Sequence, residues 1–460
     1  VNTSQYPQKA GVTLEEMLFA RDARVERQQK MLKEFPYTLI CFTLNIAGPY
    51  KQFPLALKTF SEGKEQILSQ LHCNRCKIIK SEFVREKTGC EGYFGVDGDA
   101  ASIKKLMVAI EDGSPLARLF DIDVLASDGK KISRTDLGCK SRRCLICGCP
   151  AQACARSRRH SVDELTQKTL ELMQTYFNGK YADEIAKTAT RALLYEVCVT
   201  PKPGLVDRWN NGAHRNMDIF TFLDSCVTLT PFFREFTLRG LTSGQEDPHL
   251  LYLELKDTGK QAEKAMMEAT GGVNTHKGAI FSIGLLCAAL GFLRKKGIPY
   301  CSDAVFDLCR RMTADDLSKD LSCITAQNAA THGEKVYAKL GIAGVRGEAA
   351  SGYQSVRRYG LPMLKWLLSQ GIPLNDACVI TLLNLIANVQ DTNILSRTGC
   401  RPPDIRSKIE HTVKAMGSST ESIARAVEQL NGEFVRANIS PGGCADLLAF
   451  TLMLYFLEQS

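Results

Sequence analysis

Two domains of different class are expected from this sequence: an α+β domain over residues 1–165 and an all-α helical domain over residues 166–460. Three observations support the division. A chain of 460 residues is long enough to build two or three separate cores. Up to about residue 160, short apolar runs alternate with stretches of helical periodicity; beyond about 166 only helices remain, separated by Gly- and Pro-rich loops. No internal repeat or low-complexity linker intervenes, so the boundary is short and falls just after a cysteine-rich segment.

In the first domain, Thr13-Leu14-Glu15-Glu16 matches a capping box and opens a helix running to about Glu34. "YTLICFTLNI" (37–46) is a buried strand, "LKTFSEGKEQILSQL" a helix, "CKIIKSEFV" a strand and "AASIKKLMVAIEDG" another helix. "RLFDIDVLASDGKKIS" predicts a hairpin, because Asp128-Gly129 supplies a residue that tolerates positive φ. In the second domain, helices are expected over roughly 181–199, 247–268, 275–296, 301–312, 374–389, 419–431 and 443–458.

The composition, 44% hydrophobic and 23% charged, is that of an ordinary globular protein. The most apolar stretch, "GAIFSIGLLCAALGFL" (278–293), is shorter than the roughly 20 residues of a membrane span and runs into Arg294-Lys295-Lys296, which marks a core helix. No basic head followed by an apolar run opens the chain, so the expectation is a cytoplasmic protein without signal peptide or membrane partner. Its eighteen cysteines then act mostly as reduced, buried small hydrophobes. The net charge of +8 suits an anionic substrate or partner.

"LFDIDVL" is the most informative stretch of the first domain. On a strand, Asp121 and Asp123 share one face while Phe120, Ile122 and Val124 share the other. Two adjacent carboxylates repel unless a cation lies between them, and Asp-x-Asp on a strand before a hairpin is how nucleotidyltransferases hold Mg²⁺ against a triphosphate. The same pattern also occurs on a merely solvated strand face.

"SRRCLICGCPAQACARSRRH" (141–160) supports two readings. Cys144-x₂-Cys147-x₆-Cys154-x₅-His160 supplies three thiolates and an imidazole, a donor set for tetrahedral zinc. The middle gap is shorter than in the usual zinc finger. Lys140, Arg142, Arg143, Arg156, Arg158 and Arg159 make the same segment densely basic, so it serves either as a nucleic-acid grip or as a joint near another polyanion.

In order, "GVTLEEMLFARDARVERQQKML", "LNIAGPYKQFPLA", "RLFDIDVL", "ISR" and "RRCLICGCPAQACARSRRHSVDEL" resemble the citrate lyase holo-acyl-carrier-protein synthase family over residues 11 to about 165. That resemblance implies a nucleotidyltransferase-like domain that transfers a phosphoribosyl-dephospho-CoA group to a serine of the apo acyl-carrier subunit. It implies that Asp121 and Asp123 bind metal, and makes Arg118, Lys51 and Arg134 candidates to meet phosphates. In this company the cysteine–arginine segment is read as a structural joint near a CoA-type polyanion, with zinc at Cys144, Cys147, Cys154 and His160 as the alternative. No nucleic-acid partner is then expected.

In the second domain the polar residues gather in loops. "TPKPGLVDRWNNGAH" (200–214) presents Lys202, Asp207, Arg208 and His214, and "GGVNTHKGAIF" (271–281) puts Asn274, Thr275, His276 and Lys277 before a long helix. Backbone N–H groups and the positive helix end there suit a phosphate, although the G-x₄-GK[ST] spacing of a Walker loop is absent. "GVRGEAASGY", "NVQDTNILSRTG" and "NISPGGCADLLA" add further polar loops.

With Asp218 included, these motifs resemble the triphosphoribosyl-dephospho-CoA synthase family from about residue 185 to the end, departing at Thr398, where the family more often has Arg-Gly-Gly. The resemblance implies that ATP and 3′-dephospho-CoA are joined with release of adenine. Glycosidic cleavage calls for a carboxylate beside the developing positive charge, an acid, a base, and Mg²⁺ with cations for the triphosphate. Asp207, Asp218, Glu348 and Asp391 are the carboxylate candidates; Lys202, Arg208, Lys277 and Arg346 the phosphate candidates; His214 and His276 the acid–base or orienting groups. The alternative reading is a nucleoside or ADP-ribose glycohydrolase joined to a zinc-dependent nucleic-acid module.

Overall fold

The computed structural model describes residues 11–34, 36–322, 332–399, 402–416 and 419–459. The chain forms two compact units, Val1–Asn178 and Gly179–Ser460. The expected boundary at 165 and this division both fall within one continuous helix, Val162–Cys198.

The first unit contains helix α1 (Leu14–Glu34), strand β1 (Thr38–Leu44), α2 (Pro54–Cys73), β2 (Lys77–Glu86), β3 (Gly89–Asp97), α3 (Ala100–Asp112), β4 (Phe120–Leu125), β5 (Lys131–Ile132), α4 (Ala151–Arg156) and the start of α5 (Val162–Cys198). The strands form one antiparallel sheet in the order β2-β3-β1-β4-β5. The capping box is formed: Thr13 N donates to Glu16 Oε2 (2.8 Å) and Glu16 N to Thr13 Oγ1 (3.2 Å). Strand β3 was not expected; Gly89, Gly92 and Gly95 dilute its β signal. Its place between β1 and β2 completes the sheet regardless of propensity.

Period-two alternation places Phe120, Ile122 and Val124 in the core with Ile40, Phe42 and Phe94, against Phe60 and Ile67 of α2 and Met107 of α3. Phe42 stacks on Phe60 at 4.8 Å and meets Phe120 edge-on at 5.4 Å. The opposite face packs Leu39, Cys41, Tyr93 and Leu125 against Met31 of α1. Asp121 and Asp123 lie on that second face, opposite Thr43 and Cys41 of β1.

The second unit is all helical: α6 (Ile219–Thr242), α7 (Pro248–Ala269), α8 (Lys277–Lys295), α9 (Ser302–Ser322), α10 (His332–Leu340), α11 (Gly344–Ser351), α12 (Leu361–Ser369), α13 (Leu374–Asn388), α14 (Thr392–Thr398), α15 (Ile405–Ala415), α16 (Thr420–Arg436) and α17 (Gly442–Glu458) follow the end of α5. Helices α6, α10, α11, α12, α14 and α15 were not among those expected. The 24-residue α6 was not expected, because its Thr- and Phe-rich sequence and internal Pro231 argue against a helix. In place, Asp218 caps it in a reciprocal box with Thr221, and Thr237 returns its hydroxyl to the Phe233 carbonyl (2.9 Å). Short helices α11 and α14 stand where loops were expected, each closed by a left-handed glycine, Gly352 and Gly399.

Helix α8 is the core helix expected from its apolarity, and 78% of its most apolar window is buried. Glycines set its crossing with α6. A Cβ on Gly240 would collide with the Ala288 carbonyl, and one on Gly291 with the Thr237 carbonyl. This close crossing fixes the start of α8, with His276 and Lys277, beside Ser225 of α6.

Candidate functional site

A cavity of about 900 Å³ opens in the helical unit where the 199–218 loop meets the starts of α8, α11, α14 and α17. The loop is held by Asp207, whose carboxylate accepts from the backbone N–H of Lys202 (2.9 Å), Trp209 (2.7 Å) and Asn210 (3.0 Å). Gly204, at φ +72°, leaves no room for a side chain against the Ile439 carbonyl, and its N–H donates to Asn431 Oδ1 (2.9 Å). These ties bring Lys202 and His214 to the cavity.

Lys202 is almost fully buried and donates from Nζ to Glu196 Oε1 (2.5 Å) and to the Glu196 carbonyl (2.8 Å). A buried charge pair of this kind is held by mutual dependence, since either group alone would be stranded. Thr275 donates to Ser225 Oγ (2.8 Å), which leaves the Ser225 hydroxyl to donate to His276 Nδ1 (2.8 Å). Burial, then the Lys202 charge, depresses His276 to about 3, so its neutral ring orients the start of α8. Arg397 donates to His214 Nδ1 (3.1 Å), so the neutral ring carries its proton on Nε2, facing Ser440 Oγ at 2.8 Å. Burial and the Arg397 charge push His214 down to about 4.

Of the residues expected from sequence, Lys202, His214, Asn274, Thr275, His276, Lys277 and Arg346 line this cavity. Asp207, Arg208, Asp218, Glu348 and Asp391 do not line it. Arg208 is exposed and donates to Thr200. Asp218 caps α6, and the Thr221 N–H lowers its pKa. Glu348 accepts from Ser355 Oγ (2.5 Å) and N (3.2 Å), while burial raises its pKa. Asp391 accepts from the N–H groups of Asn393 (2.8 Å), Ile394 (3.3 Å) and Cys444 (2.8 Å), and burial again raises it.

The carboxylates that do line the cavity are Glu196, Glu263 and Asp446. Glu263 pairs with Lys277 at 2.8 Å. Asp446 is raised well above its ordinary value by burial, and further by the charges of Glu196 and Asp391, against a hydrogen bond from the Ala279 N–H. Sequence reading missed Glu196, Glu263, Lys335, Arg397 and Asp446, and for the acidic residues of α5 and α17 a signal was present. The available signal was an acidic residue inside otherwise apolar helical runs, "LLYEVC" and "CADLLAF".

In the first unit, Asp121 is exposed and Asp123 half-buried on β4. Asp123 pairs with Lys131 Nζ (2.6 Å), and Asp121 lies 3.9 Å from Arg142. Buried Glu111 takes Arg134 (3.1 Å), Arg142 and the Ile122 N–H (3.0 Å). Arg118 donates to the carbonyls of Arg143 (3.1 Å) and Cys144 (2.8 Å), and Lys51 donates to the Ile46 carbonyl. Arg118, Arg134 and Lys51 thus each bind protein groups. The ligand atoms of Cys144, Cys147, Cys154 and His160 all lie within 4.8 Å of one another.

Two family models match the chain. Residues 12–176 match CitX, described as apo-citrate lyase phosphoribosyl-dephospho-CoA transferase, and residues 182–460 match CitG, described as ATP:dephospho-CoA triphosphoribosyl transferase. Protein CitXG of Haemophilus influenzae is 35% identical, covering 97% of this chain and 96% of the relative. Protein CitXG of Leuconostoc mesenteroides subsp. cremoris is 33% identical, covering 98% of each. The 2-(5''-triphosphoribosyl)-3'-dephosphocoenzyme-A synthase of Pectobacterium atrosepticum is 39% identical over 59% of this chain and 88% of its own. None of these supports the glycohydrolase and nucleic-acid alternative. Matched along its full length by fused relatives, the chain belongs to the CitXG family, as a bifunctional transferase of citrate lyase prosthetic-group synthesis.

Proposed function

We propose that the 900 Å³ cavity binds ATP together with 3′-dephospho-CoA and that Asp446 and Glu196 carry the pentosyl transfer. Lys277, Lys335, Arg346 and Arg397 line it and suit a triphosphate. A second cavity of about 290 Å³, walled by Phe236, Tyr252, Leu255 and Leu285, shares Glu263, Phe281 and Arg346 with the first. Its apolar walls suit the pantetheine arm.

The reaction breaks the bond from adenine N9 to ribose C1′ and forms one from the 2′-hydroxyl oxygen to C1′. Adenine gains a proton and the hydroxyl loses one, so an acid and a base are both required. The observation that carries the reading is the different setting of Asp446 and Glu196, two of the three carboxylates on the cavity wall. Asp446, held toward its protonated form, donates to the departing adenine. Glu196, in ion pair with Lys202, receives the hydroxyl proton and stabilises the positive charge on the sugar.

For the attachment half, a nucleotidyltransferase-like role rests on Asp121 and Asp123. Two oxygen donors on one accessible strand face fit Mg²⁺, which keeps several waters and takes one or two protein carboxylates. Bound there, the ion would neutralise charge on the diphosphate leaving group. Arg142 and Lys131, already beside these carboxylates, are the phosphate contacts in this reading. The acceptor is a serine of the apo acyl-carrier subunit of citrate lyase, in the cytoplasm. Incubating the protein with ATP, Mg²⁺, dephospho-CoA and apo carrier tests the scheme. Adenine release that requires dephospho-CoA, with the matching mass gain on the carrier, is expected; adenine release independent of dephospho-CoA refutes it.

A further inference from the structure

We infer that Cys144, Cys147, Cys154 and His160 bind a structural zinc ion, and that this zinc knuckle positions Arg142 against Asp121 for the attachment reaction. The sulfur separations carry the first part. Four ligands around zinc with Zn–S bonds of about 2.3 Å place neighbouring sulfurs about 3.8 Å apart. Cys144 and Cys154 Sγ lie 3.5 Å apart, and Cys147 and Cys154 Sγ 3.9 Å. Imidazole completes the set, and His160 Nε2 is buried without a hydrogen-bond partner among the described residues.

The backbone agrees with thiolate ligands. Gly148 takes a left-handed φ of +70°, Cys144 N donates to the Cys149 carbonyl (2.7 Å), and the Ile146 N–H points at Cys144 Sγ (3.5 Å). Donation from N–H to sulfur stabilises a metal-bound thiolate. Cys149 stands outside the cluster, with its sulfur toward Arg159 (3.6 Å).

The second part follows from what the knuckle holds. The segment entering the knuckle carries Arg142, whose carbonyl accepts from Ala151 N at 2.9 Å, while Arg118 clamps the carbonyls of Arg143 and Cys144. From there the Arg142 guanidinium reaches buried Glu111, the Phe120 carbonyl (2.6 Å) and, at 3.9 Å, Asp121. The backbone already ties the start of α4 to this segment, through the Ala151 N–H to Arg142 carbonyl bond and the Arg143–Pro150 bridge, and the ion would add a cross-link from Cys154 and His160 to the turn at Cys144 and Cys147. Arg142, a phosphate contact in the proposed attachment reaction, therefore takes part of its placement from the knuckle. This part rests on the reading of Asp121 as an attachment residue; the metal content does not.

Metal analysis of the full chain, purified without chelator, is expected to find about one zinc per chain, and Cys147→Ser to retain less than about a tenth of it. Cys149→Ser is expected to keep the metal. Cobalt substitution should give tetrahedral visible bands with thiolate charge transfer in the parent and lose them in Cys147→Ser. Zinc near zero, a Cys147–Cys154 disulfide, or equal metal loss in Cys149→Ser overturns the site. Cys147→Ser should also slow carrier attachment more than about tenfold while adenine release stays within about twofold. Loss of zinc with attachment unchanged overturns the positioning role and leaves the metal site standing.

Discussion

Gly278 leaves the space that the carboxylate of Asp446 fills: a methyl group at position 278 would fall on Oδ2 of Asp446. The first turn of α8 and the first turns of α17 can meet only because position 278 has no side chain. Asp446→Asn is expected to lower adenine release by about 100-fold or more, since it removes the proton donor while keeping size. Gly278→Ala should displace the carboxylate and lower the rate comparably, with circular dichroism and melting close to the parent for Asp446→Asn. Unchanged turnover in folded Asp446→Asn would assign the acid elsewhere.

Asp121→Asn and Asp123→Asn each remove one carboxylate charge from β4, at an exposed and a half-buried position, and leave Phe120, Ile122 and Val124 in the core. Attachment to the carrier should fall by about 100-fold or more, while adenine release continues at the parent rate. Mass analysis of the carrier and a separate adenine assay read the two halves independently. Joint loss would point to unfolding of the chain instead.

Lys277 and Glu348 should behave differently from one another. Lys277 lines the cavity and is half exposed in its pair with Glu263. Lys277→Met should raise the KM for ATP by about tenfold with kcat little changed, the signature of a contact equally strong in ground and transition states. Glu348 lies off the cavity lining, turned to Ser355. Glu348→Gln keeps an accepting oxygen there and should alter stability by no more than about 1 kcal/mol. Adenine release should stay near the parent rate; a large fall in kcat would return Glu348 to the reacting centre.

Acid should weaken the helical unit through His214. Its folded pKa is depressed from 6.5 to about 4, so between these values the unfolded chain binds the proton and the folded one does not. Stability from this group is present above pH 6.5 and lost as pH falls toward 4. A displacement of one pH unit corresponds to about 1.4 kcal/mol, and solvent screening at this partly exposed ring makes the loss smaller than the full displacement implies. His276 acts in the same direction, while the raised Asp391 and Asp446 favour the folded state at low pH. Comparing urea midpoints of the parent and His214→Asn across pH 4–6.5 isolates the term, and parallel curves would refute it.

Local chemistry made much of this protein readable as a linear sequence. The Thr13–Glu16 capping box, the alternation across Phe120–Leu125, the Asp128-Gly129 turn and the apolar run of α8 each depend on neighbours a few residues away. So do the clustered loops that delivered Lys202, His214, Asn274, Thr275, His276, Lys277 and Arg346 to one cavity. Tertiary packing decided the rest. Strand β3 and helix α6 contradict their own propensities and exist because the sheet and the Gly240–Gly291 crossing give them partners. Most decisively, an aspartate beside glycine in a loop and an aspartate inside an apolar helix look alike in function until burial is known. Asp207 and Asp391 spend their oxygens on backbone N–H groups away from the cavity lining, whereas Asp446, raised by burial and held by the Ala279 N–H, stands at the cavity wall, a placement only folding assembles.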